Sequence, residues 1–229
     1  MRRHRTTTAA GRQRPGNRPA PASSTRALVR HTAPAGMGLL LVNVGYVSVL
    51  TFGAVLAREN GTGLQTLIVP VFAAAVIVSR TIAGGIPDRL SGARTAIVFA
   101  AAEALGLLVF AGAVSAPLEL IALLALSIGQ SLAVPGLGLL ALTGVPTQDQ
   151  GAAAGLFFAW FDAGVGLGGL TIGTIASFAG PNGALAAAAA AVGTVILIVH
   201  IADRPISARR NPARRRASTW PGPQHSPRR

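Results

Sequence analysis

The 229-residue chain has no cysteine, its twenty basic residues are all arginine, and it holds only seven acids and one tyrosine. Each shortage excludes chemistry. Without cysteine there is no disulfide, no thiolate nucleophile and no Cys-based metal site. Without lysine there is no Walker A loop, whose lysine sits on the nucleotide phosphates, and no Schiff base. His4, His31, His200 and His225 lie far apart in the sequence. They assemble neither a histidine metal cluster nor the serine, histidine and acid set of a hydrolase. No metal, cofactor or enzymatic activity is expected.

What is abundant is apolar. Hydrophobic residues make up 51% of the chain and charged residues 12%, about half the charge of an ordinary soluble domain. The charges are also segregated. Residues 1–33 hold eight arginines and no acid, residues 204–229 hold eight more, and the stretch between holds four. The middle therefore reads as membrane and the ends as aqueous. The first 33 residues are Pro-rich and lack an apolar core, so they are not a secretory signal. Residues 1–33 and 203–229 are expected to be basic, disordered cytoplasmic tails around a membrane domain at 34–202.

A helix needs about 20 apolar residues to cross the hydrocarbon core with its backbone satisfied internally. Six stretches qualify, at 35–57, 64–83, 95–114, 118–144, 151–178 and 183–202. The expected fold is all-α integral membrane with six transmembrane helices. The connections at Arg58 and after residues 114 and 178 lie on one side. Arg80, Arg89, Arg94 and both arginine-rich ends lie on the other. Arginine marks the cytoplasmic side, which places both termini there in a multi-pass protein of the cell (plasma or inner) membrane. The lipid bilayer is thus the first partner, and the tails can touch anionic headgroups. Nucleic-acid binding by RRNPARRR at 209–216 is the alternative, but it lacks interleaved aromatics or a folded module.

Two motifs are decoys. Residues 164–169, GVGLGG, fit G-x-G-x-x-G but lack a preceding strand and a following acid. Gly164, Gly168, Gly169 and Gly173 instead form two small-xxx-small pairs suited to close helix packing. Asn60-Gly61-Thr62 is a formal glycosylation sequon that reads as a turn.

The turn SRTIAGGIPDRLSGARTA, residues 79–96, carries Arg80, Gly84, Asp88, Arg89, Gly92 and Arg94 between two apolar runs. It resembles the signature loop of the major facilitator superfamily, G-x-x-x-D-R-x-G-x-R, with Gly92 and Arg94 displaced by one residue. GYVSVLTFGAVLAREN, SIGQSLAVPGLGLLALTGVP and QGAAAGLFFAWFDAGVGLGG resemble the seventh, tenth and eleventh helices of that family, most closely in its drug and small-metabolite efflux branch. The resemblance spans residues 35–202 and implies the second of the family's two six-helix bundles, with the substrate site between bundles. The basic first 33 residues resemble the loop that joins them. This implies a fragment, a misplaced start, or a product that pairs with another half-bundle or as a homodimer.

The resemblance also implies roles. The 79–96 turn resembles a cytoplasmic latch in which Asp88 accepts hydrogen bonds at a helix N-terminus and pairs with Arg80, Arg89 and Arg94. The alternative is a positive-inside anchor that only fixes topology. Inside the spans, a charge at mid-bilayer is costly unless it meets a partner or water or is neutralised. Asp162 and Glu103 are therefore candidates to bind and release a proton, or neutral acids that serve packing, and packing is favoured for Glu103. Asn43, Tyr46, Gln130 and Trp160 are candidates to line a substrate cavity, with Ser127 and Ser131 beside them. Pro70 and Pro135 are expected to kink their helices. The expected function is efflux of a small organic molecule in exchange for protons. A non-transporting remnant or interaction protein that keeps the half-bundle fold is the alternative.

Overall fold

The computed structural model describes residues 24–210. It is helical throughout, with no strand among those residues: α1 (Thr25–Glu59), α2 (Ile68–Ala83), α3 (Ile86–Arg89), α4 (Gly92–Ala111), α5 (Ala116–Leu142), a 3-10 turn (Thr147–Asp149) and α6 (Gln150–Arg210). Helices α1, α4, α5 and α6 are each long and apolar enough to cross a membrane. Helix α2 is apolar but has 16 residues, a rise of about 24 Å.

Both ends of the helical region extend into the expected tails. Ser24 caps α1, its Oγ accepting from Ala27 N at 3.3 Å, and residues 25–33 are helical rather than tail. Packing explains this. Leu28 joins Val145 and Ala153 in a small apolar cluster, and the ring of His31 donates from Nε2 to Thr143 O at 3.0 Å. At the other end α6 continues to Arg210. The remaining tail residues, 1–23 and 211–229, lie outside the described residues, and so does the 211–216 part of the arginine run. Pro70 sits in the first turn of α2 rather than mid-helix. A missing N–H costs nothing there, so the expected kink has no cause. Pro34 lies inside α1 and Pro135 inside α5.

Helix α1 is the axis of the packing, and its neighbours reveal their directions by residue number. Gly38 meets Leu137 and Asn43 meets Gln130, so α5 runs antiparallel to α1. Tyr46 meets Phe72 and Gly53 meets Ile68, which makes α2 antiparallel as well. Gly45 faces Glu103 and Gly53 faces Phe110, so α4 runs parallel.

Helix α6 does both. Gly164 packs on Leu40 and Gly168 on Val44, in parallel, whereas Val195 meets Gly38 and Val192 meets Gly45, in reverse. The chain turns back at Gly180, whose φ of 69° and ψ of 177° interrupt the helix. That region is open essentially only to glycine. Pro181 follows, with a ring-fixed φ suited to a helix start.

Glycine also sets the closest contact, between α4 and α5. A Cβ added at Gly129 would lie 2.5 Å from Glu103 N, one at Gly106 2.6 Å from Leu126 N, and one at Gly136 2.8 Å from Ala96 N. These are backbone-to-backbone approaches that only glycine permits, as expected where lipid offers no hydrophobic drive between helices. Of the expected small-residue pairs in α6, Gly164 and Gly168 pack directly on α1, while Gly173 faces open space. Several hydroxyls are absorbed locally. Thr32 donates to Leu28 O at 3.0 Å, Ser48 to Gly45 O at 2.7 Å and Ser127 to Leu123 O at 2.6 Å, which removes the cost of an unpaired polar group in lipid. Large apolar side chains such as Val114, Phe178 and Ile82 face outward.

Candidate functional site

Two places collect the polar side chains singled out above. The first is a buried cluster where α1, α4 and α5 meet. Asn43 and Glu103 are fully buried, the latter 1% exposed, and Gln130 nearly so. Asn43 donates from Nδ2 to Leu39 O at 2.9 Å, and its Oδ1 lies 3.4 Å from the Gln130 amide nitrogen. The other end of the Gln130 amide lies 3.1 and 3.3 Å from the two Glu103 carboxyl oxygens and 3.3 Å from Val42 O. Glycines cradle the acid. A Cβ at Gly45 would lie 2.5 Å from Glu103 Oε1, and Gly129 lets α5 close on the Glu103 backbone.

The second place is a groove along α2. Residues 69, 72, 73, 76, 77 and 80 recur at helical spacing, so one whole face of α2 lines it. Opposite lie Tyr46, Gln130, Ser131 and Phe161, around a cavity of about 390 Å³. Tyr46 packs its ring on Phe72 at 5.6 Å, tilted by 42°. Ser131 donates to Val76 O at 3.2 Å, which ties α5 to α2 beside the groove. A second cavity of about 650 Å³ continues past Phe157 and Phe158. Arg80, Val134 and Phe161 line both. Gln130 thus belongs to the buried cluster and to the groove wall together.

The remaining expected residues are more scattered. Asp162 is exposed on the first arm of α6 and lines neither cavity, so it is not brought to Glu103. Trp160 is half-buried, with its indole filling the space over Gly36. In the 79–96 turn, Arg80 closes α2, Gly84 is its C-cap and Arg89 ends α3. The Asp88 side chain lies outside the described residues. Gly92 is a packing residue, because a Cβ there would meet Gly136 O at 2.8 Å. Helix α4 is capped by Ser91, whose Oγ accepts from Arg94 N at 3.3 Å, with Arg94 itself exposed.

Sequence reasoning missed the glycine cradle at Gly45 and Gly129 and the close approach at Gly106. The signal was available in the adjacent Gly129-Gln130 pair and in Gly106 one turn after Glu103. Glu119 was also missed. It is fully buried in the first turn of α5, and its carboxyl oxygens have no hydrogen-bond partner. Among the described residues, no group of three or more His, Asp or Glu is placed to hold a metal ion.

The chain aligns with the uncharacterized MFS-type transporter YhhS of Salmonella typhimurium, at 30% identity over 174 residues. It is similar to MFS-type transporters. An MFS-type transporter of Pseudomonas aeruginosa strain PAO1 is 31% identical over 147 residues, and YhhS of Escherichia coli K12 29% identical over 163. These alignments take in 76%, 64% and 71% of this chain but only 43%, 37% and 40% of the respective relatives. The chain therefore spans less than half the length of the curated relatives it matches. No protein-family model matches it, and no solved structure does. The similarity supports the major facilitator superfamily. With four helices of membrane-crossing length, it is a multi-pass membrane protein.

Proposed function

We propose that residues 25–210 form one six-span bundle of a major facilitator secondary transporter, the second of its two bundles. The groove carries this reading. It is lined by α1, α2, α5 and the first arm of α6 and holds Gln130, Tyr46 and Arg80 on an otherwise apolar wall. A wall of this kind suits a small organic molecule with an apolar body and a few polar groups. The six segments are α1, α2, α4, α5 and the two arms of α6, which alternate in direction. Helix α2 crosses with help from Leu64 and Leu67 in the turn before it. The bundle sits in the cell membrane with both ends cytoplasmic and exports its substrate against protons.

Alternating access comes from one bundle moving against another around a shared site. A second bundle is therefore required, from the same polypeptide, another chain or a second copy. The Asp88 turn would act at that junction as the latch, with Asp162 on the exposed arm as a second proton or substrate contact. The rival reading is a membrane remnant or interaction protein that keeps the bundle without transporting.

The test is flux of ethidium and of carboxyfluorescein in liposomes holding only the purified chain, under an imposed proton gradient. A lone bundle is expected to insert and move neither dye. Flux that follows the gradient and is lost in Asp162→Asn would show a working homodimer. Where a complementary bundle is co-reconstituted, continued absence of flux would favour the remnant.

A further inference from the structure

The Gln130 amide lies between two groups that make opposite demands on it. Toward α4, one end of the amide is 3.1 and 3.3 Å from the Glu103 carboxyl oxygens. Toward α1, the other end is 3.4 Å from Asn43 Oδ1. The oxygen and nitrogen of the amide can exchange places without moving any other atom, so hydrogen-bond chemistry selects the orientation. An ionised carboxylate only accepts. It therefore calls the NH₂ group toward itself, where Nε2 can also donate to Val42 O at 3.3 Å. A protonated carboxyl has an O–H to donate. It calls Gln130 Oε1 instead and releases the NH₂ group to Asn43 Oδ1.

We infer that Glu103 is a buried proton-binding site whose occupancy is reported to α1 by rotation of the Gln130 amide. With the proton on, Glu103 O–H donates to Gln130 Oε1, Gln130 Nε2 donates to Asn43 Oδ1, and Asn43 Nδ2 keeps Leu39 O at 2.9 Å. With the proton off, Gln130 Oε1 faces Asn43 Oδ1, two acceptors with no hydrogen between them. Asn43 can donate to Gln130 Oε1 only by turning its own amide, which gives up Leu39 O and sets Asn43 Oδ1 against that carbonyl, so the mismatch passes to α1. One proton on α4 thus changes a hydrogen bond in the backbone ladder region of α1, through a residue of α5.

The proton exchanges with water in the α2 groove, because Gln130 forms part of that wall and its side chain is the cover between Glu103 and the cavity. No bond other than O–H forms or breaks, and no second reactant is needed. At the level of the carboxyl the packed helices present Gly45, Gly129 and Val192. The titratable and charged residues elsewhere on those helices are Arg26, Arg30, His31, Tyr46, Arg58 and Glu59 on α1, Glu119 on α5, and Asp162, His200, Asp203, Arg204, Arg209 and Arg210 on α6. Arg94 lies on α4 itself, and Arg80 on α2 shares the groove. Against the transport reading this supplies a site for a coupling proton, yet it is a property of the chain alone, so its test needs no flux.

The full chain is purified into nanodiscs with ¹⁵N-labelled asparagine and glutamine side chains and titrated from acid to alkaline pH. Infrared absorption of the protonated carboxyl and the NMR signals of the Gln130 and Asn43 amides are followed together. The expected result is that loss of the carboxyl band and the shift of both amides share one midpoint. Glu103→Gln should abolish all three changes. In Gln130→Met the carboxyl band should still titrate while the Asn43 amide no longer moves. Amides that stay fixed while the band titrates, an Asn43 shift that survives Gln130→Met, or a carboxyl that never titrates would each overturn the proposal. Should Gln130→Met fail to fold, Glu103→Gln decides alone, since amide shifts that persist in it have another origin.

Discussion

Replacing Gly129 by alanine tests whether the α4–α5 contact is as close as described. The added Cβ would lie 2.5 Å from Glu103 N, 2.6 Å from Phe99 O and 2.8 Å from Glu103 Cα. All three are backbone atoms, which cannot swing aside as a side chain would. Ordinary contact between such atoms begins near 3.5 Å, so the helices must part by about 1 Å. Overpacking of this kind costs about 1–3 kcal/mol. Alanine also gains up to about 1 kcal/mol in helix propensity over glycine, which masks part of the loss. Gly166→Ala supplies the correction, because a Cβ there meets nothing within 4 Å. Both variants carry the same propensity gain, and their difference isolates the packing. Unfolding of the purified chain by SDS in mixed micelles should show Gly129→Ala less stable than Gly166→Ala by about 1–3 kcal/mol. Equal stabilities, or a less stable Gly166→Ala, would refute the close approach and with it the cradle around Glu103.

Three further outcomes are expected. Reporter fusions at Gly61 and after Arg229 should report opposite sides of the membrane, with the C-terminal one cytoplasmic; the same side for both would sink the six-span reading. In a complete transporter containing this bundle, Asp88→Asn should cut transport without reducing insertion, and undiminished transport by a well-expressed variant would leave the turn as an anchor only. With Trp220 replaced by phenylalanine, Gly36→Val should displace the Trp160 indole and red-shift its emission, because that indole fills the space over Gly36; an unchanged spectrum would refute the contact.

Much of the helix layout was legible because membrane helices must be long, apolar runs, and the break at Gly180-Pro181 is marked by its residues. The ends of the layout were less so. Residues 25–33 look like tail by charge, and only the burial of Leu28 against Val145 and Ala153 shows them to be helix. Pro70 was misread because its position within α2 depends on where α2 starts, and apolar residues before it do not mark that point. The polar residues divide in the same way. Asn43 and Tyr46 share a helix face by spacing alone. Which acid would meet Gln130 depended on the pairing of α4 with α5, and that pairing is written in glycines, whose meaning appears only when the facing backbone is known. Asp162 stood out by its motif and Glu103 did not, yet the cluster formed around Glu103.

The reversal at Gly180 leaves the two arms of α6 without a loop between them. A single residue carries the turn, with no neighbour within 4 Å of where its Cβ would stand, so its reversal rests on backbone torsions while both arms also pack on α1. An L-residue there would be strained without touching anything. The same openness makes this the natural point to cut the polypeptide. Residues 181–229, made as a separate chain, would keep the Val192 and Val195 contacts to α1 as their docking surface. Whether such a pair reassembles would distinguish a bundle held by its covalent turn from one held by the match between helix faces.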